Sequence, residues 1–132
     1  MSILSKVVKS GLAALAFASV ATAAGAAEPR SGSSCFFTSA WRGWSSPSPN
    51  VIYIDAGSHK IYRVDLVGGS HYLKSPGTFL VNKVRGSTSI CSALDLDLAV
   101  ADTTGFYTPL IAHQLTLLTP EEVAAIPRKD RP

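Results

Sequence analysis

The sequence predicts an all-β domain: a small sandwich or partly open barrel of five to six short antiparallel strands with one short C-terminal helix. Short runs of β-branched and aromatic residues recur about every 10 to 15 residues, and glycine, proline and serine separate them. After the first 26 residues, apolar residues show no sustained helical period. A clear helix start occurs only near the carboxyl end. Without alternating helix and strand patterns, a nucleotide-binding βαβ fold is not expected.

The first 26 residues have the pattern of a cleavable secretory signal peptide. Lys6 and Lys9 form a positively charged start, and Gly11–Ala27 is uncharged and rich in alanine. Small residues permit cleavage before Ala27 or before Glu28. The uncharged run of about 17 residues is shorter than the roughly 20 strongly apolar residues of a membrane-spanning helix. We therefore expect a periplasmic or secreted protein with no stable membrane insertion after cleavage.

Removal of this signal peptide lowers the net charge of the remaining chain, from which the class of partner is inferred. Lysine and arginine fall from 12 to 10 while aspartate and glutamate stay at 9, so the net charge falls to about +1. A nearly neutral domain offers no electrostatic reason to expect nucleic acid as a partner. The remaining chain divides into a flexible lead-in at 27–34, a single β-rich domain at 35–127 and a solvated charged tail at 128–132.

In the first half of the domain, the patterns predict a short strand and a hairpin. Cys35–Phe37 starts the first strand, and Ser45–Asn50 is a loop rich in serine and proline. Val51–Ile54 is a β-branched and aromatic strand. A turn at Ala56–His59 joins it to the alternating run Lys60–Leu66, which predicts a β-hairpin. The alternation places Tyr62, Val64 and Leu66 on one face of this run and Ile61, Arg63 and Asp65 on the other.

The second half contains three more predicted strands and the helix. Phe79–Val81 is the first strand, Asp95–Val100 alternates with its leucines inward, and Leu110–Leu117 is the last strand. Thr119 to Glu122 form a capping box with proline at the first helical position. Pro127 ends this short helix.

Two cysteines, Cys35 and Cys91, lie in the part of the chain expected to be exported. Paired cysteines normally join in an oxidising compartment, so we predict a disulfide that closes a loop of about 57 residues. A metal site or a redox pair is the alternative. Neither has support, because the sequence contains no C-x-x-C motif and no histidine lies close to either cysteine.

Two groups of residues are candidates for binding. Asp95 and Asp97 would lie on one face of the predicted strand, about 7 Å apart, where they could hold a divalent cation or could simply be solvated. Trp41 and Trp44, with Arg42 between them, could form an aromatic face for a sugar or peptide. The tryptophans could equally pack over the open end of the sheet. The spacing of His59, His71 and His113 matches no ligand signature.

The chain resembles an uncharacterised family of small exported proteobacterial proteins, a domain of unknown function. The resemblance covers most of 35–132 and rests on these stretches: Cys35-Phe36 with Gly43-Trp44, Ile61 to Leu66, Ser89-Ile90-Cys91 running into Leu94 to Asp97, and Leu118 to Ala125 with Pro127 and Arg131-Pro132. Members of the family often carry two further cysteines, near Gly69-Ser70 and near Leu110, which this chain lacks. The resemblance therefore implies that Cys35 pairs with Cys91, and it implies no activity, cofactor or catalytic residue.

From these observations we expect a non-enzymatic periplasmic binding or interaction protein with no cofactor, no metal and no catalytic residue. Its partner would be an envelope protein or a small ligand. The alternative is a metal-assisted hydrolase that uses Asp95 and Asp97. The nucleophile elbow and the phosphate-binding loop, two motifs that would favour other enzyme classes, do not occur in the sequence.

Overall fold

The computed structural model describes residues 34–132, and β-strands dominate this part of the chain. The strands are β1 (Phe36–Phe37), β2 (Gly43–Ser48), β3 (Val51–Asp55), β4 (Ile61–Val67), β5 (Thr78–Asn82), β6 (Ser89–Ile90), β7 (Leu98–Asp102) and β8 (Tyr107–Leu117). One α-helix, α1 (Pro120–Ala125), follows β8 within these residues. No helix of the described part is long and apolar enough to cross a membrane. The predicted signal peptide at 1–26 lies outside the described residues.

Six strands form one antiparallel sheet in the order β2-β3-β4-β8-β7-β5, and β1 pairs with β6 in a small second sheet. A 3-10 turn at His71–Lys74 lies between the two edge strands of the large sheet. Lys74 Nζ donates to the Pro47 carbonyl at 3.0 Å, and Thr78 Oγ1 donates to the Tyr72 carbonyl at 2.9 Å. The turn contacts both edge strands, β2 and β5, so the large sheet is nearly closed into a barrel. The predicted all-β class, with a partly open barrel and a short C-terminal helix, is confirmed.

The core lies on the inner face of the large sheet. Tyr62, Val64 and Leu66 point inward as the alternation of β4 predicts. The largest fully buried side chains of the described residues are Tyr62, Ile52, Ile54, Ile90, Leu98, Val64 and Val100. Full burial of an aliphatic side chain of this size contributes about 1.5–3 kcal/mol. Phe36 and Ile90 belong to the small sheet, so that sheet closes one side of the core.

The segment predicted as a serine- and proline-rich loop, Ser45–Asn50, is mostly strand, because β2 continues to Ser48. Pro47 cannot donate to a sheet, but β2 is an edge strand with β3 as its neighbour in the sheet. A register shift between Ser45 and Ser48 accommodates the irregularity. The composition of this segment therefore reflects an edge position in the sheet.

The predicted strand at Asp95–Val100 begins too early. Asp95 ends a 3-10 turn at Ala93–Asp95, and β7 starts only at Leu98. A capping box between Ser92 and Asp95 stabilises this turn. Ala99 is also fully buried, so β7 does not alternate between buried and exposed residues.

The last strand begins at Tyr107, three residues before its predicted start, and it changes neighbours along its length. Tyr107–Leu110 pair with β7, whereas Ile111–Leu117 pair with β4. Pro109 lies in the half that pairs with β7, where the other side of the strand has no ladder partner. A residue without an N–H is tolerated at such a half-paired position. A bulge within the half that pairs with β4 contains His113.

The capping box at the start of α1 is confirmed. Thr119 Oγ1 accepts the Glu122 N–H at 3.3 Å, and a Glu122 carboxylate oxygen accepts the Thr119 N–H at 2.7 Å. The tail at 128–132 is not merely solvated as predicted. Arg131 donates to the Ile126 and Ala124 carbonyls at 2.9 and 3.0 Å, and Ser45 Oγ donates to the Asp130 carbonyl. The arginine bonds hold the tail against the end of α1, and the serine bond holds it against β2.

The predicted disulfide is present. Cys35 and Cys91 are joined with an S–S distance of 2.05 Å and a Cα–Cα distance of 4.2 Å. The bond lies beside the pairing of β1 with β6 and links the first of these strands to the second. A disulfide fits an oxidising compartment outside the cytoplasm.

Candidate functional site

The two predicted aromatic residues, Trp41 and Trp44, are half-buried and pack against the core. Trp44 pairs with Ile54 across β2 and β3, which places it on the inner face of the sheet. Trp41 meets the ring of Phe36 edge-on, with 6.4 Å between the centroids. Arg42, between the tryptophans, is exposed and lines a pocket on the opposite face.

The two predicted acidic residues have separate structural partners. Asp95 Oδ2 accepts the N–H groups of Cys91 and Ser92 at 2.9 and 2.8 Å, and these hydrogen bonds lower the pKa of Asp95. Asp97 forms an ion pair with Arg85. Because neither aspartate lies in a strand, the alternation that placed both carboxylates on one strand face does not apply. Each carboxylate is instead engaged by its own neighbours.

The three histidines lie on separate elements. His59 is in the turn between β3 and β4, His71 is in the 3-10 turn, and His113 is at the bulge of β8. Over residues 34–132, no three side chains of histidine, cysteine, aspartate or glutamate form a group that could hold a metal ion.

The first surface feature of interest is an open pocket of about 400 Å³ beside the turn between β3 and β4, called here the hairpin pocket. Arg42, Asp55, Ser58 and His59 supply its polar groups. Ile61 and Val123 supply its apolar wall, the former from β4 and the latter from α1. The pocket therefore combines a cation, an anion, a hydroxyl and an imidazole with an aliphatic surface.

Gly57 positions Arg42 at this pocket. A Cβ atom at Gly57 would lie 3.1 Å from Arg42 Nε and 3.4 Å from Arg42 Cζ. The guanidinium thus lies close to the backbone of the turn, and a Cβ atom at Gly57 would displace it by a few tenths of an ångström. The Arg42 N–H also donates to the Asp55 carbonyl at 2.8 Å, so β2 and β3 place the arginine beside the turn.

The turn itself has an uncommon backbone. Gly57, Ser58 and His59 have φ values of 72°, 51° and 60°. The Lys60 N–H donates to the Gly57 carbonyl at 2.9 Å across Ser58 and His59. Positive φ at both central residues is typical of type I′ hairpin turns, which favour glycine and asparagine at these positions. Here a serine and a histidine adopt it, and both side chains line the pocket.

The second surface feature is a continuous group of apolar side chains on the outer side of the sheet, called here the apolar face. Cross-strand pairing joins Phe79 to Ala101 and Ala101 to Tyr107, and it also joins Val67 to Ile111. The complete face consists of Val67, Phe79, Val81, Ala99, Ala101, Tyr107, Pro109 and Ile111. It extends across β4, β8, β7 and β5.

The larger members of the apolar face are exposed although they are hydrophobic. Ile111 is 65% exposed, Val67 58%, Phe79 44% and Tyr107 43%. Between them, Ala99 and Ala101 are 0% and 6% exposed because the longer neighbouring side chains cover them. Contiguous apolar surface of this kind is unusual on a monomer and marks interaction sites.

A lysine borders the apolar face. Lys83 continues the outward positions of β5 just beyond the strand, and its Nζ lies over the Tyr107 ring, 4.7 Å from the centroid. Polar interaction with the Tyr107 side chain raises the pKa of Lys83. The border of the face near β5 is therefore positively charged.

No protein-family model, curated protein or solved structure matches the chain. The function must therefore be inferred from the hairpin pocket and the apolar face.

Sequence reasoning identified Arg42 but missed the rest of the hairpin pocket and all of the apolar face. The face had a signal in the sequence: Phe79-Leu80-Val81 and Leu110-Ile111 place apolar residues at adjacent positions. One residue of each adjacent pair must point outward in a strand. The pocket had no such signal, because Val123 reaches it from a helix far along the chain.

Proposed function

We propose that this chain is an exported, periplasmic or secreted binding domain that docks another protein through the apolar face. The observation that carries the proposal is the exposure of four large apolar residues that cross-strand pairing and alternation place on one surface. Because these side chains are 43–65% exposed, burying the remainder contributes roughly half of the 1.5–3 kcal/mol of full burial for each, and a small set of such residues can dominate an interface. The disulfide supports export.

Charge favours a different protein over a second copy of this chain. Lys83 lies at the border of the apolar face, and a partner with a carboxylate opposite it would pair with this charge, whereas a second copy of this chain would present the same positive border. The expected partner has an apolar patch with acidic residues beside it, because complementary charge at the rim speeds association.

The alternative hypothesis, a metal-assisted hydrolase that uses Asp95 and Asp97, receives no support from the arrangement of these residues. Asp95 stabilises its own 3-10 turn, and Asp97 is paired with Arg85. The resemblance to small exported proteobacterial proteins stays a prediction.

The test is Ile111→Asp, which places a charge in the middle of the apolar face at a 65% exposed position. Its matched control is Leu94→Asp, because Leu94 is 94% exposed but lies outside the face. Tagged wild type and both variants are incubated with envelope extract, and bound proteins are quantified by mass spectrometry. We expect a protein that wild type and the control retain and that Ile111→Asp loses by about ten-fold or more, or about 1.4 kcal/mol.

Equal capture by all three proteins would contradict the proposal. Sedimentation of the purified protein tests the other explanation, that the apolar face joins two copies of this chain. A concentration-dependent dimer that Ile111→Asp abolishes would assign the face to self-association. Unchanged far-UV circular dichroism of both variants shows that capture was not lost through unfolding.

A further inference from the structure

We infer that the hairpin pocket binds a free α-amino acid with an apolar side chain. This site is separate from the apolar face and does not depend on the proposed protein partner. Three features of the pocket carry the inference: a cationic group, an anionic group, and an aliphatic wall beside both.

Arg42 is the group expected to hold the carboxylate of the ligand. Its side chain is exposed and lies against Gly57 at the pocket. Among the contacts made between residues 34 and 132, no hydrogen bond or ion pair engages its guanidinium. The planar, forked donors of a guanidinium match a carboxylate in two parallel hydrogen bonds.

Asp55 is the group expected to hold the ammonium. Its Oδ1 accepts the Gly57 N–H at 2.7 Å, which keeps the carboxylate at the edge of the turn. Oδ2 receives no hydrogen bond from any described residue. Asp55 and Arg42 line the same pocket, yet within the described part of the chain no ion pair joins them. The same pocket is thus lined by a cationic and an anionic side chain that no ion pair joins.

The presence of both charges selects between classes of ligand. A simple anion attracted by Arg42 would also meet Asp55, and a simple cation attracted by Asp55 would meet Arg42. A zwitterion satisfies both groups at once, because its carboxylate and ammonium are separated by one carbon. Ser58 and His59 lie at the same pocket and can donate or accept further hydrogen bonds.

The aliphatic wall determines which zwitterion fits. Ile61 is only 8% exposed, and Val123 on α1 is half-buried beside it. An apolar side chain gains from contact with this wall, whereas a charged one does not. The volume of about 400 Å³ is within the range of small-molecule sites. Leucine is therefore the probe of choice.

The experiment is isothermal titration calorimetry of the full chain with L-leucine and three analogues. N-acetyl-L-leucine lacks the ammonium, L-leucinamide lacks the carboxylate, and glycine lacks the apolar side chain. We expect binding of leucine and an affinity at least about ten-fold weaker for each analogue. If leucine fails to bind at millimolar concentration, or if N-acetyl-L-leucine binds equally well, the inference is overturned.

Variants locate the binding in the pocket. Arg42→Gln and Asp55→Asn should each weaken leucine binding by about ten-fold or more, while Arg128→Gln, in the exposed tail, should leave it unchanged. Asp55→Asn retains an oxygen that can accept the Gly57 N–H, so the turn is preserved. Full binding by Asp55→Asn would refute the role of the carboxylate. Ile111→Asp should still bind leucine, because Ile111 does not line the hairpin pocket. Loss of leucine binding and loss of protein docking can therefore be distinguished.

Discussion

At the scale of single residues, the turn between β3 and β4 carries backbone strain beside a pocket. Ser58 and His59 have φ values of 51° and 60°, where a residue with a Cβ atom costs about 1–2 kcal/mol relative to ordinary conformations. Such strain persists only where the surrounding structure holds the residue in place. Here the two residues retain side chains at the hairpin pocket that glycine would not provide.

We therefore expect His59→Gly to stabilise the fold by about 0.5–1 kcal/mol. Relief of the positive φ outweighs the larger conformational entropy that glycine adds to the unfolded chain. Urea denaturation followed by circular dichroism measures the difference. Lys60→Gly is the control, since Lys60 has no positive φ, and it should lose about 0.5–1 kcal/mol. If His59→Gly loses as much as Lys60→Gly, the turn is not strained.

The turn between β3 and β4 was predictable from the sequence, but its backbone conformation was not. Gly57 within Ala56–His59 predicted a turn, and the structure has one there. The positive φ of Ser58 and His59 was not predictable, because the type I′ turns that require it favour asparagine, aspartate and glycine at these positions. The approach of Arg42 to Gly57 depends on the pairing of β2 with β3, which is a non-local contact.

At the scale of elements, local patterns were reliable where neighbouring residues alone decide the structure. The capping box of α1 and the inward side chains of β4 follow directly from the sequence. The segment 95–100 failed because two local preferences compete. Asp95 and Ser92 stabilise a 3-10 turn, and this cap prevails over the alternation that would extend β7.

Two aspartates with lowered pKa values, Asp95 in this cap and Asp102 at the end of β7, predict that acid destabilises the fold. Hydrogen bonds from Cys91 and Ser92 lower the pKa of Asp95, and the Thr104 hydroxyl is the main cause that lowers the pKa of Asp102. Both pKa values are below that of an unfolded aspartate, about 3.9, so the folded state binds fewer protons. The resulting stability is present above about pH 5 and is lost as the pH falls through the folded pKa values.

We expect the melting temperature to be nearly constant between about pH 7 and pH 5 and to fall below about pH 4. Asp95→Asn should lower the melting temperature at neutral pH and make the fall in acid less steep. Differential scanning calorimetry at several pH values provides the measurement. Glu121→Gln removes an exposed carboxylate from α1 and is the control. An acid limb of unchanged slope in Asp95→Asn would show that this carboxylate is not linked to folding.

At the scale of the whole molecule, the fold class was predictable because strand-forming runs and turn residues recur along the sequence. The order of the strands was not, since β8 lies between β4 and β7 through contacts distant in sequence. The apolar face results from this order, as it combines residues of four strands. The covalent link between distant parts, Cys35 to Cys91, was predictable from the count of two cysteines together with the expected oxidising compartment.

Removing the disulfide between Cys35 and Cys91 should lower the stability of the fold substantially. The disulfide joins residues 56 apart in sequence, and closing a loop of this length reduces the entropy of the unfolded chain by the equivalent of up to about 4 kcal/mol. The double variant Cys35→Ala, Cys91→Ala should therefore melt more than about 10 °C below wild type. β1 and β6 have two residues each and are expected to separate without it.

Scanning calorimetry of wild type, the double variant and Ser89→Ala tests this. Ser89 Oγ lies 3.6 Å from Cys91 Sγ, so the control changes the surroundings of the disulfide and leaves the bond intact. A double variant that melts with wild type would mean that the small sheet contributes little to stability.

The division of β8 between two neighbours also affects when the chain can fold. β4 ends at Val67 and its partner begins to pair at Ile111, so more than 40 residues must emerge before the two strands can meet. Ladders between such distant segments form slowly because the intervening chain must first be ordered. If such a chain crosses a membrane with its amino end first, the pairing of β4 with β8 cannot form until nearly all of the chain has emerged, and until then the large sheet stays incomplete. For the export proposed above, this order would delay completion of the sheet until most of the chain had crossed the membrane.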